Sequence, residues 1–181
     1  DVDVDKVKRL NNKDSVIDEP ECGARLAGVV EEKTFVAYAK IQPADCFVIC
    51  VPTPLNNKKQ CDLSYVYSAV DKISEVIEKG NLVLLESTVP VGTSEAVAKY
   101  LEQKTGLKRG QDFYFAFCPE RVLPGKIFYE LVYNSRIVGG INRKSSELAK
   151  QFYGRFVKGD VHYDVDASSA EMVKLIENSY R

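Results

Sequence analysis

The 181 residues hold no apolar run long enough to cross a bilayer, and the Asp-rich N-terminus has nothing of a basic leader followed by an apolar segment. Neither a membrane association nor a secretory signal is therefore expected. An excess of charge of one sign is also missing. Lys and Arg number 25 against 26 Asp and Glu, a formal net charge of -1, so the basic footprint of a nucleic-acid binder is absent. Local runs such as Lys6-Val7-Lys8-Arg9 and Asn57-Lys58-Lys59 read as solvated faces. There is one histidine, His162, read as structural on a short strand. The five cysteines (Cys22, Cys46, Cys50, Cys61, Cys118) are odd in number and lack the paired spacing of a metal site or disulfide framework. Cys46 and Cys50 lie in one apolar strand whose alternation turns both to the same face, which predicts a buried structural role and no bound metal. Reduced thiols fit a cytoplasmic location. No internal repeat or low-complexity stretch interrupts the chain.

What is present is ordinary in bulk and informative in order. Apolar residues make up 45% and charged ones 28%, enough for one good-sized domain, or one domain and the start of another. Short apolar runs alternate with helical periodicity, the pattern of an α/β protein with a parallel sheet covered by helices. Asp1-Val2-Asp3 reads as the tail of a strand. Helices follow at about 4–11 and 20–32, and Phe35-Val36-Ala37-Tyr38 reads as a short strand. Asp45 to Val51 is a continuous apolar strand of the doubly buried kind, stopped by Pro52-Thr53-Pro54. Asp62 is a plausible cap for a helix carrying Val66, Val70, Ile73 and Ile77, with Gly80 as its stop. Further strands are expected at 82–85, 113–117, 136–138 and 161–163. Further helices are expected at about 94–104, 144–157 and from Ser168 onward. Residues 122–135 form the longest irregular segment, a candidate functional loop.

In open parallel sheets ligands bind beyond the carboxyl ends of the strands. Three strands here run straight into restricted or polar residues: Val51-Pro52-Thr53-Pro54, Glu86-Ser87-Thr88 and Cys118-Pro119-Glu120-Arg121. One such ending is simple punctuation. Three in succession suggest a lined crevice. Thr53 and Thr88 could be turn caps, or could donate hydroxyl protons to a phosphate or a water. Glu120 and Arg121 could pair with each other on the surface, or offer an acceptor and a fixed cationic fork. On the last helix Glu171, Lys174, Asn178 and Arg181 share a face, with Met172, Leu175, Ile176 and Ser179 on the other. That face reads either as a solvated stripe with a Glu171–Lys174 pair, or as a polar wall in which Lys174 shuttles a proton and Asn178 assists.

Taken in order, the Asp1 strand end, Val51-Pro52-Thr53-Pro54-Leu55, Asp62-Leu63-Ser64-Tyr65-Val66, Glu86-Ser87-Thr88-Val89-Pro90-Val91-Gly92-Thr93, Cys118-Pro119-Glu120-Arg121-Val122-Leu123-Pro124-Gly125 and Glu171 to Arg181 closely resemble the UDP-glucose/GDP-mannose dehydrogenase family. The match covers nearly the whole chain. Within the family, the Glu120 to Gly125 stretch and the Glu130-Leu131 to Gly140 stretch are most similar to the UDP-N-acetyl-D-mannosamine dehydrogenases. The UDP-glucose enzymes usually carry a further acidic residue where Pro124 stands.

The resemblance implies a Rossmann-like, doubly wound, mostly parallel sheet. It implies a partial NAD-binding domain over 1–166, and over 167–181 the start of a long central helix leading to a substrate and dimerisation domain. The implied activity is a two-step oxidation of the primary alcohol of UDP-N-acetyl-D-mannosamine to the uronate, consuming two NAD+, for surface polysaccharide biosynthesis. UDP-glucose or UDP-N-acetylglucosamine is the alternative substrate, and a non-catalytic Rossmann-like assembly module the alternative of another class. By resemblance, Asp1 binds the adenosine ribose, and Val51, Pro52, Thr53 and Thr88 line the cofactor. Thr88, Glu120, Lys174 and Asn178 serve catalysis, and Glu120, Arg121, Val122, Lys174, Asn178 and Arg181 meet the UDP-sugar. A homodimer through the helix beginning near Ser168 is implied as well. Two departures from the family pattern matter. The Gly-rich phosphate loop and first strand–helix unit are lacking, and so is the half bearing the nucleophilic cysteine of the second oxidation; these 181 residues alone are therefore expected not to turn over.

Overall fold

A computed structural model describes residues 1–19, 21–123 and 125–180. The chain divides into two compact units, residues 1–42 with 122–127, and residues 43–121 with 128–181.

In the first unit, α1 (Val4–Asn11) starts at Asp3, whose carboxylate accepts from the Asp5 and Lys6 amides at 3.0 and 3.1 Å. That satisfies two of the four donors a helix start leaves open. The second helix, α2 (Cys22–Glu31), buries Leu26. Glu19 accepts from the Gly125 amide at 2.9 Å. The two strands expected here do not form: Asp1–Asp3 and residues 35–38 belong to no ladder, although the Asp1 amine donates to the Tyr38 carbonyl at 2.8 Å. The Ala37 backbone is instead satisfied by one side chain, the Asn11 amide, which accepts from its N–H at 2.8 Å and donates to its carbonyl at 2.9 Å. β-rich composition specifies a strand only where a second backbone offers a continuous run of partners.

The second unit is built on five strands in sequential order: β1 (Cys46–Ile49), β2 (Leu82–Leu85), β3 (Tyr114–Phe117), β4 (Arg136–Gly140) and β5 (Val161–Asp166). β1, β2 and β3 are parallel, β4 runs antiparallel to β3, and β5 is parallel to β4. The α/β, mostly parallel expectation therefore holds, with one reversal. α3 (Ser64–Ser74) joins β1 to β2, and α4 (Thr93–Thr105) joins β2 to β3. Right-handed crossovers advancing in one direction put both on the same face, where they touch each other. After the reversal at β4, the same handedness carries α6 (Arg143–Tyr153) to the opposite face, against β2 through β5. α7 (Ala167–Tyr180) returns to the α4 side and packs on β3, β4 and β5.

Strand alternation splits the core accordingly. Leu82, Leu84, Ala116, Cys118 and Val138 pack with Ala149, Tyr153 and Val157 under α6. Val83, Leu85, Phe115 and Phe117, all fully buried, point the other way. β1 is not buried on both faces as expected. Cys46 packs against the cluster under α6, but Val48 is 41% exposed while Phe47 and Ile49 are covered. α3 ends at Ser74, short of Gly80, and Asp62 bonds the Ser64 amide at 2.9 Å at its start. The expected irregular stretch 122–135 contains α5 (Ile127–Tyr133), a helix too short for its periodicity to register. No described helix is long and apolar enough to cross a membrane.

Candidate functional site

The parallel register aligns Ile49, Leu85 and Phe117 across three strands, so β1, β2 and β3 end at one level. The residues that follow them line a cleft of about 350 Å³, together with Lys174 from α7. Its walls are Cys50, Val51, Pro52 and Thr53 after β1, Glu86, Ser87 and Thr88 after β2, and Glu120 after β3.

Pro52 cannot donate to a ladder, and Ser87 takes over where pairing stops. Its hydroxyl accepts from the Val51 amide at 2.8 Å and donates to the Val51 carbonyl at 2.7 Å. The Thr53 hydroxyl donates to the Thr88 carbonyl at 2.7 Å, closing the first two strand ends on each other. With that proton committed, Thr53 can present only lone pairs to a ligand, a change from the donor role expected of it. The Thr88 hydroxyl has no partner among the described residues and keeps both functions. Lys174 donates to the backbone carbonyl of Glu120. Glu120 Oε1 is buried without a partner among the described residues. A buried acceptor left open is costly unless something else fills it, so this atom marks where a ligand group or water belongs.

Thr53, Thr88, Glu120 and Lys174 are thus brought together with Val51 and Pro52. Arg121 is not part of the wall. It does not pair with Glu120; its guanidinium donates to Glu177 Oε1 at 2.7 Å and to the Ser135 carbonyl, holding the β3 end to α7. Asn178 is exposed one turn beyond Lys174 and does not line the cleft. Asp1 and Val122 belong to the first unit, where Asp1 Oδ1 accepts from the Asp3 amide at 2.9 Å. Arg181 lies outside the described residues.

The solvated-stripe reading of α7 is overturned. Glu171 is fully buried, and Met172 and Ile176 are 45% and 59% exposed, the reverse of an amphipathic helix on a core. Glu171 does not pair with Lys174 but accepts from Gly92 and Ser94.

Two of the wall residues, Glu86 and Cys50, join a polar cluster that sequence reasoning did not assemble. Glu86 accepts from the Tyr153 hydroxyl at 2.6 Å and from Cys50 Sγ at 3.4 Å. The Arg136 guanidinium, 4% exposed, sits 5.5 Å from the Tyr153 ring centre. Burial, then the Glu86 charge, pushes the Cys50 thiol up to about 12. Burial pushes Cys118 up to about 11 and the Tyr153 phenol far above its ordinary value. Cys50 is also exposed at the cleft rim rather than buried as expected, although its sulfur is sheltered against Glu86. Protonated at neutral pH, neither thiol is an activated nucleophile. Glu86 and Ser87 lie where the strand-end rule placed them, without a role assigned there. Tyr153 carried no signal, because helical periodicity marks it only as core.

The UDP-glucose/GDP-mannose dehydrogenase family, NAD binding domain, matches residues 1–157. All of the chain aligns with the UDP-N-acetyl-D-mannosamine dehydrogenase of Methanococcus vannielii at 45% identity, covering 41% of that protein. The structure of the Pyrococcus horikoshii UDP-D-ManNAc dehydrogenase superposes over the whole chain with a TM-score of 0.97 and 44% identity, covering 44% of it. The Staphylococcus aureus UDP-N-acetyl-mannosamine dehydrogenase Cap5O gives 0.95 at 38% identity, with the whole chain again covering 44%. The chain thus spans less than half the length of these relatives. A sheet whose ends gather Thr53, Thr88, Glu120 and Lys174, and a match this extensive, lead to one conclusion: the chain belongs to the UDP-glucose/GDP-mannose dehydrogenase family and carries its NAD-binding domain.

Proposed function

We propose that the complete protein oxidises the primary alcohol of UDP-N-acetyl-D-mannosamine to the uronate, and that this chain contributes the NAD+ side of the site. What carries the reading is the convergence on one cleft of Thr88, Lys174 and Glu120, whose buried Oε1 has no partner among the described residues. The relatives named for this substrate support its identity.

The cleft fits part of a dinucleotide. Its volume of about 350 Å³ falls within the ~300–1,000 Å³ range of small-ligand sites, and its hydroxyls and carbonyl-rich strand ends suit a ribose and carboxamide. Val51, Pro52, Thr53 and Thr88 would hold the cofactor there, and Asp1 the adenosine ribose. No Gly-x-Gly-x-x-Gly occurs in the 181 residues, so the pyrophosphate is assigned no contact. When bound, the nicotinamide accepts the hydride in each of two oxidations.

The chain's own groups handle protons and charge. Lys174 neutralises the alkoxide that forms as the alcohol loses its proton, and later the tetrahedral oxyanion, both sites of growing negative charge. Glu120 orders the substrate and Thr88 the water that supplies the second carboxylate oxygen. Asn178 supports Lys174, while Arg121, Val122 and Arg181 contact the UDP-sugar. With neither the Gly-rich phosphate loop nor the sugar-nucleotide half of the family pattern among them, the 181 residues alone are expected to produce no NADH.

In the same reading α7 contributes a homodimer interface through its exposed face, and the enzyme works in the cytoplasm to supply surface polysaccharide synthesis. The test is a panel of UDP-sugars with the complete enzyme. Two NADH per uronate and the highest kcat/KM for UDP-N-acetyl-D-mannosamine are expected; a preference for UDP-glucose would replace the substrate, and no NADH with any of them would overturn the reading.

A further inference from the structure

α7 buries only three residues, Ala167, Ala170 and Glu171, and leaves the apolar Met172 and Ile176 outside. Hydrophobic burial therefore does not set its rotation. Two polar or steric locks do. Gly139 of β4 has no room for a side chain, since a Cβ there would lie 2.8 Å from the Ala170 Cβ and 2.1 Å from the Asp166 carbonyl oxygen. One residue on, the Glu171 carboxylate accepts from the Gly92 amide at 2.6 Å, and from the Ser94 amide and hydroxyl at 2.7 Å each.

Those donors are the first turn of α4, whose N-cap, Gly92, has no side chain to offer. A charge from another helix takes the cap's place, where the dipole favours an anion. The residues just before α4 are Thr88 to Val91, so the carboxylate ties the loop bearing Thr88 to the helix bearing Lys174. Lys174 lies three residues beyond Glu171 on the same face of α7, reaching the Glu120 carbonyl.

The geometry points to Glu171 as a positioning residue for Lys174: it fixes the register of α7 against α4 and so holds the ammonium over the cleft. This rests on the dehydrogenase reading above. Glu171 touches neither cofactor nor substrate and acts only through its neighbours.

The complete enzyme is compared as wild type, Glu171→Gln, Lys174→Ala and the double variant, with folding followed by circular dichroism and Tm. The amide of Gln keeps the size but turns an N–H donor toward the α4 donors. In folded Glu171→Gln, kcat falls roughly tenfold to a hundredfold, as small misplacements of a catalytic group do, while KM for NAD+ changes little. Added to Lys174→Ala, the same change costs less than about twofold, because two residues acting through one group are not additive. Independent effects on kcat, or a folded Glu171→Gln with wild-type kcat, would overturn the inference and leave the dehydrogenase reading standing. An unimpaired Lys174→Ala would bring down the assignment of Lys174 and this inference together. If Glu171→Gln does not fold, Ser94→Ala decides: a kcat loss that disappears in the Lys174→Ala background supports the inference, and an unchanged kcat rejects it.

Discussion

Helices α6 and α7 pack against the same three strands, β3, β4 and β5, from opposite faces of the sheet. α6 carries its own cap, Asn142, whose side chain accepts from the Ser145 amide at 2.8 Å. It buries small residues and one large aromatic: Ser145, Ser146, Ala149 and Tyr153. α7 buries a carboxylate, exposes its apolar side, and serves as the cap of another helix. The difference separates two jobs. An apolar face contributes stability in proportion to buried area and tolerates small shifts, whereas a charge held by three donors has one acceptable position. The helix that carries Lys174 is the one held in the second way.

That contrast can be broken by substitutions on each side. On α7, Lys174→Ala in the complete enzyme is expected to lower kcat roughly a thousandfold, about 4 kcal/mol of barrier, with Tm nearly unchanged. Steady-state kinetics beside thermal melts checks it; an equal loss of Tm would make α7 as structural as α6. On α6, Tyr153→Ala is expected to cost about 3 kcal/mol of stability, because a fully packed ring and its bond to Glu86 are lost. Urea unfolding measures it, and kcat per folded molecule should change far less than in the Lys174 variant. Asn142→Ala removes only a local cap and should cost about 1 kcal/mol in the same assay.

The last effect is absent at neutral pH. Burial holds the Cys46 and Cys50 thiols up to about 12 and Cys118 up to about 11, above the ordinary thiol value near 9.0. In the unfolded chain these groups lose protons first, so the unfolded state binds fewer protons between about 9 and 12. The stability they contribute is intact below pH 9 and declines as pH rises through that window. Urea midpoints across pH 8–11 should fall in the wild type and fall less in Cys118→Ser. A flat profile would mean that the thiols titrate normally in the fold.

Much of the fold was legible because it is written in local patterns. Leu82–Leu85 and Tyr114–Phe117 are short apolar runs bounded by turn residues, and α4 and α6 follow 3.6-residue periodicity closely. The strand ends named the cleft before any coordinates, since Thr53, Thr88 and Glu120 each follow a parallel strand. The failures share one cause. Phe35–Tyr38 looks like a strand but is held by the Asn11 side chain and the Asp1 amine, Arg121 turns to Glu177 rather than Glu120, and Tyr153 reaches Glu86 across 67 positions. Each depends on a partner distant in sequence.

The sequence by itself determined the elements of the sheet unit other than α5, their order, and which strand ends would bear polar side chains, because propensity and periodicity act over a few residues. Only the tertiary structure decided which way α7 faces. Its residue pattern favours Met172 and Ile176 inward, and three hydrogen-bond donors at the start of α4, some 77 residues away, outweigh that preference by satisfying a carboxylate that could not otherwise be buried.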